Sequence, residues 1–446
     1  MKRSLYWVTK DLRINDNTAL NIASKSDLLI CVFVVDKKWF EPNHYQSKSL
    51  GGNRWHFLQS CLSDFNERLL TFGQQLYIVY GDTFSTLGNL CEKYRITDVI
   101  TTHLPGTYEN NIITQFSDSF PQVTVNKVEQ FTLFTKTLLP FELQQLPVSY
   151  SKFRKIMTDV AIPKLAPTVQ NLPSQFKSMP SPTIFRPQWL PPILYKKVKQ
   201  GFNFDGGEHD GLKHLNQYFS SNLPTTYKEV RNNLDGWDNS SKLSPWLGSG
   251  CISPRQVMNA IVGFEDKQGK NSSTECLFLE ILWREYFQWL HFKVGKKMYQ
   301  FKGLSEHLPL TTFYPERFNK WCTGNTPYPL VNGCMNELRQ TGYLSNRGRQ
   351  IVASCLVNEL SVDWRYGAAW FEEQLIDYDA AVNWGNWQYI AGVGADPRGG
   401  RHFNIQKQTA LYDPNGNYQS KWLDKTDQAS QPLDSVDASD WPVPMI

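Results

Sequence analysis

The chain is 446 residues long, enough for two or three compact domains whose cores need neither disulfides nor metals. A hydrophobic fraction of 41% and a charged fraction of 20% exclude a disordered or fibrous protein, and no apolar run exceeds 28–35, which excludes a transmembrane helix. The net charge of +4, from 46 basic and 42 acidic residues, is too small to signal nucleic-acid binding by itself.

The N-terminus, MKRSLYWVTKDLR, has charge but no apolar segment or small-residue cleavage site after it, so a cytoplasmic location is expected. Five short runs then read as strands: 5–9, 28–35, 76–80, 98–102 and 123–128, with helix-length segments such as 52–72 between them. Runs apolar throughout mean strands covered on both faces, and their alternation with helices predicts an α/β, doubly wound parallel sheet over 1–135. The first strand is followed by TKDLRINDN rather than G-x-G-x-x-G, so the sheet offers no sign of an NAD-type site. The stretch 136–210 is rich in Pro, Ser and Gln with weak periodicity, as in an extended connector between domains. Beyond it, 211–222, 253–263, 274–294, 331–342, 347–360 and 366–376 read as helices, which predicts an all-α domain over 211–421. The remainder, 422–446, carries five Asp and little periodicity, and loose attachment is expected.

The eight cysteines include no C-x-x-C pair and the histidines do not fall at zinc-ligand spacing, so they read as reduced, mostly buried thiols. The unusual quantity is aromatic: 11 of the 15 tryptophans lie beyond residue 230, in the helical half. Glu280 interrupts an apolar run and shares a helix face with Trp283, Arg284 and Phe287. Either it pairs with Arg284 at i,i+4, or it offers a carboxylate beside an aromatic plane to a ligand. Ser240, Ser241 and Ser244 cluster around Lys242, which suits either a phosphate or simple helix capping. Asn346, Arg347, Arg349 and Gln350 stand at the mouth of an apolar helix, to contact phosphates or to solvate its end. Asp377 and Asp379 flank a Tyr, with Asn383, Trp384, Trp387 and Tyr389 following in what reads as a Gly-containing loop. A hard cation, an exposed turn, and recognition of a polar ring by hydrogen bonds and stacking all fit that pattern.

Four segments in this order, WREY (283–286), LSNRGRQ (344–350), DWRYGAAWFEEQLIDYDAAVNWGNWQY (363–389) and AGVGADPRGGRHFN (391–404), resemble the photolyase/cryptochrome family. The resemblance spans the chain from WVTKDLRINDNTAL (7–20) onward, and NRGRQ followed by AGVGADPR is similar to the cryptochrome-DASH branch. It implies FAD in the helical domain. Tyr227, Ser240, Ser241, Leu243 and Ser244 match the flavin-phosphate segment, and Arg284, Arg349, Asp377 and Asp379 match residues around the flavin, Arg349 paired with Asp377. Asn383 matches the asparagine beside the flavin nitrogen protonated on reduction. The resemblance further implies light-driven repair of cyclobutane pyrimidine dimers, preferentially in single-stranded DNA, with the dimer flipped into a pocket of Glu280, Trp283, Asn346, Arg347, Gln350 and Tyr389. Arg231, Arg347 and Arg401 are then candidates for DNA phosphates, and a monomer without membrane contact is expected. A non-catalytic blue-light sensor that binds nucleic acid is the alternative. Where (6-4) photolyases place histidines, this chain has Asn346 and Gln350, which leaves that chemistry without a proton donor.

Three departures accompany the resemblance. The flavin-reducing electron relay is matched at Trp387 and Trp364, but the outer tryptophan falls near Thr311, with Phe313, Tyr314 and Trp321 nearby. A second, antenna chromophore such as methenyltetrahydrofolate is served in many relatives by a glutamate; here the stretch reads TYENNII, with Glu109 displaced and Asn110 and Asn111 after it, so another chromophore or none is expected. No signalling extension follows the core.

Overall fold

The computed structural model describes residues 1–176, 204–395, 400–423 and 433–434. Chain runs dominated by β-branched and aromatic residues form β1 (Arg3–Trp7), β2 (Leu28–Asp36), β3 (Leu76–Gly81), β4 (Asp98–Thr102) and β5 (Thr124–Val128). All pairings are parallel, in the order β3-β2-β1-β4-β5. The crossovers are α1 (Thr18–Ala23), α2 (Gly52–Leu70), α3 (Thr83–Tyr94) and α4 (Thr107–Ser119). Eight of the nine residues of β2 are buried, which is why no polar alternation shows in that run. The strand order reverses at β1, so a crevice opens beyond the carboxyl ends of β1 and β4, where α/β sheets receive ligands.

Within the stretch expected to be a connector, α5 (Tyr150–Met157) is helical, burying Tyr150, Phe153 and Met157. The segment 177–203 lies outside the described residues, and α6 (Glu208–Phe219) follows it. The helical part continues with α7 (Leu223–Val230), α8 (Ser244–Ser249), α9 (Pro254–Gln268), α10 (Ser272–Val294), α11 (Pro315–Thr323) and α12 (Pro329–Thr341). It ends with α13 (Asn346–Ser354), α14 (Trp364–Gln374), α15 (Ala380–Ala391), α16 (Ile405–Tyr412) and α17 (Asn417–Trp422).

Two expectations are corrected. Trp384, Trp387 and Tyr389 lie not in a loop but on α15, whose first N–H groups are capped by the Asp379 carboxylate. Its Gly and Asn residues lower intrinsic helix propensity and its apolar residues face every side, so periodicity gave no signal; burial on all sides decides the conformation. The tail is not loose where it is described: Asp434 accepts a 2.6 Å hydrogen bond from Arg317 Nε. The loose attachment expected of 422–446 lies, for 424–432 and 435–446, outside the described residues.

The loop after β1 stitches the two layers together. Lys10 Nζ donates to Gly248 O at 2.8 Å and Tyr378 O at 2.9 Å, and Arg13 Nη1 to Gly250 O at 2.9 Å. Asp16 takes Arg255 Nε at 2.9 Å, and Glu208 accepts from the Ile14 and Asn15 amides. Gly250, at φ +75°, is the position where a Cβ would strike the Lys10 carbonyl. Among the described residues no helix is long and apolar enough to cross a membrane.

Candidate active site

The hydroxyl cluster sits between α7 and α8. Helix α8 begins at Ser244, its N-cap is Leu243, and no side chain caps it, which removes the capping reading. The Ser244 hydroxyl instead donates to Asp377 Oδ2 at 2.6 Å, reaching the segment before α15. The same oxygen takes Arg349 Nη2 at 2.8 Å, so the ion pair implied for Arg349 and Asp377 is present. Arg349 also lies over the Tyr343 ring, and its Nε donates to Leu344 O at 2.8 Å. Tyr227, on α7, is buried, and so is Leu243; Ser240 and Ser241 are half-buried beside Tyr343 and His214.

Asp377 and Asp379 are 7% and 6% exposed, which overturns the exposed-turn reading. Asp379 Oδ1 accepts the Ala381 amide at 3.0 Å, and Oδ2 accepts Gln288 Nε2 at 2.6 Å with Arg284 Nη2 at 3.6 Å. Both carboxylates are thus held by cations, amides and a hydroxyl. No group of three or more His, Cys, Asp or Glu suited to a metal exists among the described residues. Asn383 is buried on α15 one turn past Asp379, and its Nδ2 donates to Ala368 O at 3.0 Å.

Glu280 does not pair with Arg284. Its partner is Arg231, at the end of α7, while Arg284 turns inward to Phe131 O at 2.9 Å and lies between Glu285 and Asp379. Arg231, expected on a DNA phosphate, is therefore part of this pocket. Burial pushes the Glu280 carboxyl above its ordinary range, and the Arg231 guanidinium opposes that push. Trp283, one turn along α10 from Glu280, stacks on Tyr150 of α5 with centroids 3.6 Å apart and planes at 13°, and on Phe287 at 5.5 Å. Tyr389 meets Trp283 edge-on at 6.1 Å and lies under the Arg401 guanidinium, 5.0 Å from it. Arg347 donates to Asn232 Oδ1 at 3.0 Å and lies over the rings of Phe403 and Tyr412. Asn346 is exposed at the start of α13, and Gln350 is half-buried one turn on. Tyr150 and Gln288 were not anticipated. Gln288 lies four residues past Arg284, a spacing that could have found it; Tyr150 sits in the aperiodic connector, where no signal existed.

Comparison with known proteins gives the family of the chain. Residues 4–173 match the model of the DNA photolyase family, and 277–436 match the FAD binding domain of DNA photolyase. Cryptochrome DASH from Idiomarina loihiensis is 44% identical over 98% of this chain and 96% of its own length. The chain belongs to the cryptochrome-DASH branch of the photolyase/cryptochrome family. Cryptochrome DASH from Vibrio parahaemolyticus is 42% identical over 99% of this chain and 97% of its own. The crystal structure of a Synechocystis cryptochrome superposes with a TM-score of 0.90 at 35% identity, covering 95% of this chain and 89% of that one.

The cryptochrome-DASH cofactor is FAD, and the residues present fit it. Asp377 Oδ1, Arg284 Nη2 and Gln288 Oε1 are buried with no hydrogen-bond partner among the described residues. Buried polar groups are satisfied in native proteins, and a flavin nucleotide brings both donors and acceptors to such atoms.

The relay positions follow in the same cryptochrome-DASH frame. Trp364 and Trp387 are buried, and a Cβ at Gly367, three residues past Trp364, would strike the Trp387 ring. A cavity of about 860 Å³ lies between the layers, bounded by Lys10, Arg54, Glu109, Tyr299, Glu372 and Tyr378 and reaching Gln288 and Asp379 of the cluster above. Glu109, expected to be displaced, stands in the first turn of α4 and reaches this wall. Burial among Arg54 and other groups lowers Lys10 to about 8 there.

Proposed function

We propose that this cryptochrome-DASH protein is an enzyme that repairs cyclobutane pyrimidine dimers under blue light, preferentially in single-stranded DNA. The observation that carries the reading is the Glu280–Arg231 pair beside Trp283 and Tyr389, in the same helical layer as the Arg349–Asp377–Ser244 cluster that suits FAD. When bound and reduced, the flavin supplies an electron to the dimer under light and receives it back after the ring opens.

The protein's own residues do the rest. Ser240 and Ser241 offer hydroxyls to the diphosphate, Ser244 holds Asp377 in place, and Arg284, Arg349, Asp377 and Asp379 fix the nucleotide on the rigid α10, α13 and α15. Anchored by Ala368, Asn383 presents an uncharged amide to the flavin ring and so tunes its electronics without adding charge. A dimer inside a duplex is out of reach and must be extruded, at a cost that is least in a single strand. Trp283 and Tyr389 then give it apolar ring surface, worth about 1–3 kcal/mol per base. Glu280 is the hydrogen-bonding group for a thymine carbonyl that gains charge, and Arg231 balances the carboxylate. Arg347 and Arg401, already held over aromatic rings, would contact backbone phosphates. The cavity holding Glu109, Lys10 and Arg54 is the place for an antenna chromophore.

Glu280→Ala tests the reading. Flavin should stay bound, while repair of a single-stranded dimer falls about 10- to 100-fold, the worth of a hydrogen bond to a charged group. Unchanged repair would remove Glu280 from the mechanism.

A further inference from the structure

Indole and phenol are the side chains most readily oxidised by one electron, and transfer between them is fastest across the shortest gaps. On the relay reading above, Trp364 follows Trp387, and the outer tryptophan expected near Thr311 is missing. The ring contacts of Trp364 among the described residues lead elsewhere. Its one recorded aromatic neighbour is Trp384, at 5.7 Å and 77°. From Trp384 the next rings outward are Tyr45 at 6.3 Å and, beyond it, Tyr366 at 5.1 Å from Tyr45. Tyr45 and Tyr366 are half-buried, and Tyr366 is stacked at 3.9 Å on Phe313, which is 37% exposed.

The competing branches end early. Trp321 meets Trp387 at 6.1 Å but is fully buried, its N–H held by Val352 O, and its other ring neighbours are Phe318 and Phe371, which do not donate electrons readily. Tyr299 touches Trp384 at 4.9 Å but lines the interlayer cavity among Glu109 and Glu372. Tyr314 lies under the Arg317 guanidinium.

We infer that the electron relay of this chain leaves the core through Trp384 and ends on the Tyr45–Tyr366 pair at the surface between α2 and α14. Each hop moves one electron inward: oxidised Trp364 takes an electron from Trp384, and Trp384 takes one from Tyr45. With FAD bound, the photoexcited oxidised flavin would be the acceptor of the first electron, reduced by one electron for each one drawn from the relay. Tyr45 or Tyr366 releases its phenolic proton to water and becomes a neutral tyrosyl radical. An external thiol returns an electron and a proton to the phenol, and two thiyl radicals combine to a disulfide.

The inference rests on the relay reading, and one experiment separates the two. Full-length protein carrying oxidised FAD is illuminated with blue light, with and without an added thiol. Radical species are followed by transient absorption and electron paramagnetic resonance, and flavin reduction by its absorption. Wild type should show a tyrosyl radical. Y45F/Y366F, at half-buried sites, should lose that signal and slow thiol-dependent reduction, while still repairing dimers when reduced chemically. W384F should lose the same signal, and W321F and Y299F should keep it. A tyrosyl signal surviving in Y45F/Y366F, or vanishing in Y299F or W321F, overturns the outlet. If W364F loses photoreduction and W384F does not, the outlet alone fails; if W364F photoreduces normally, the relay reading itself fails.

Discussion

Glu337 illustrates how a single buried group ties the flavin-phosphate segment to the C-terminal helix. It is fully buried on α12, accepts the Tyr418 hydroxyl from α17, and leaves Oε1 without a partner among the described residues. Burial raises its carboxyl from 4.5 to about 8, against the pull of Tyr418 and of Lys242 from the hydroxyl cluster. A raised folded value means that the native state holds a proton the unfolded chain has lost between those limits. The associated stability is full below pH 4.5 and is lost as pH rises through about 8. Glu337→Gln keeps an acceptor and never ionises, so melting midpoints across that window should fall less with pH than in wild type. Parallel profiles would show that Glu337 does not titrate there. At this scale the sequence exposed candidates but not partners. The Glu280–Trp283 face follows from helical spacing, whereas Arg231 is 49 residues away and outside any local pattern.

Helix α15 carries the site because it packs closely against α10 and α14. A Cβ at Gly385 would overlap the Phe287 ring, and one at Gly367 the Trp387 ring, so these glycines set the crossing distances. Gly385→Ala should cost about 1–3 kcal/mol through overpacking and displace Asn383 relative to Gln288. The expected result is a lower melting temperature with faster loss of flavin; unchanged stability and flavin content would show that the crossing has slack. Elements were legible where one face differs from another or where a short run is apolar throughout. The strand read at 98–102 is observed at Asp98–Thr102, and the helix read at 331–342 at Pro329–Thr341. Helix α15 escaped because it is apolar on all sides, and α8 because six residues are too few to show a period.

Across the whole molecule, the loop after β1 is one of several segments that join the sheet layer to the helical layer, alongside Gly51 and Arg54, bonded to Glu373 O and Glu372 O, and Leu133, bonded to Glu285. Lys10, Arg13 and Asp16 hold the carboxyl end of α8, the start of α9 and the approach to α15, the elements that frame the flavin cluster. In the sequence this loop, TKDLRINDN, was notable only for lacking a dinucleotide fingerprint. Its bonding role was invisible because the partners lie more than 230 residues away. Family motifs were legible across the chain, since they are long and in order; the cavity between the layers was not, because its walls come from distant segments. The activity proposed for this scaffold is light-driven dimer repair in single strands. The most direct measurement is repair of a defined thymine dimer, in single-stranded and duplex oligonucleotides side by side, by chemically reduced protein under blue light and in darkness. Light-dependent repair confined to, or much faster on, the single strand is predicted. No repair of either substrate by protein carrying reduced FAD would contradict the account and favour a light sensor.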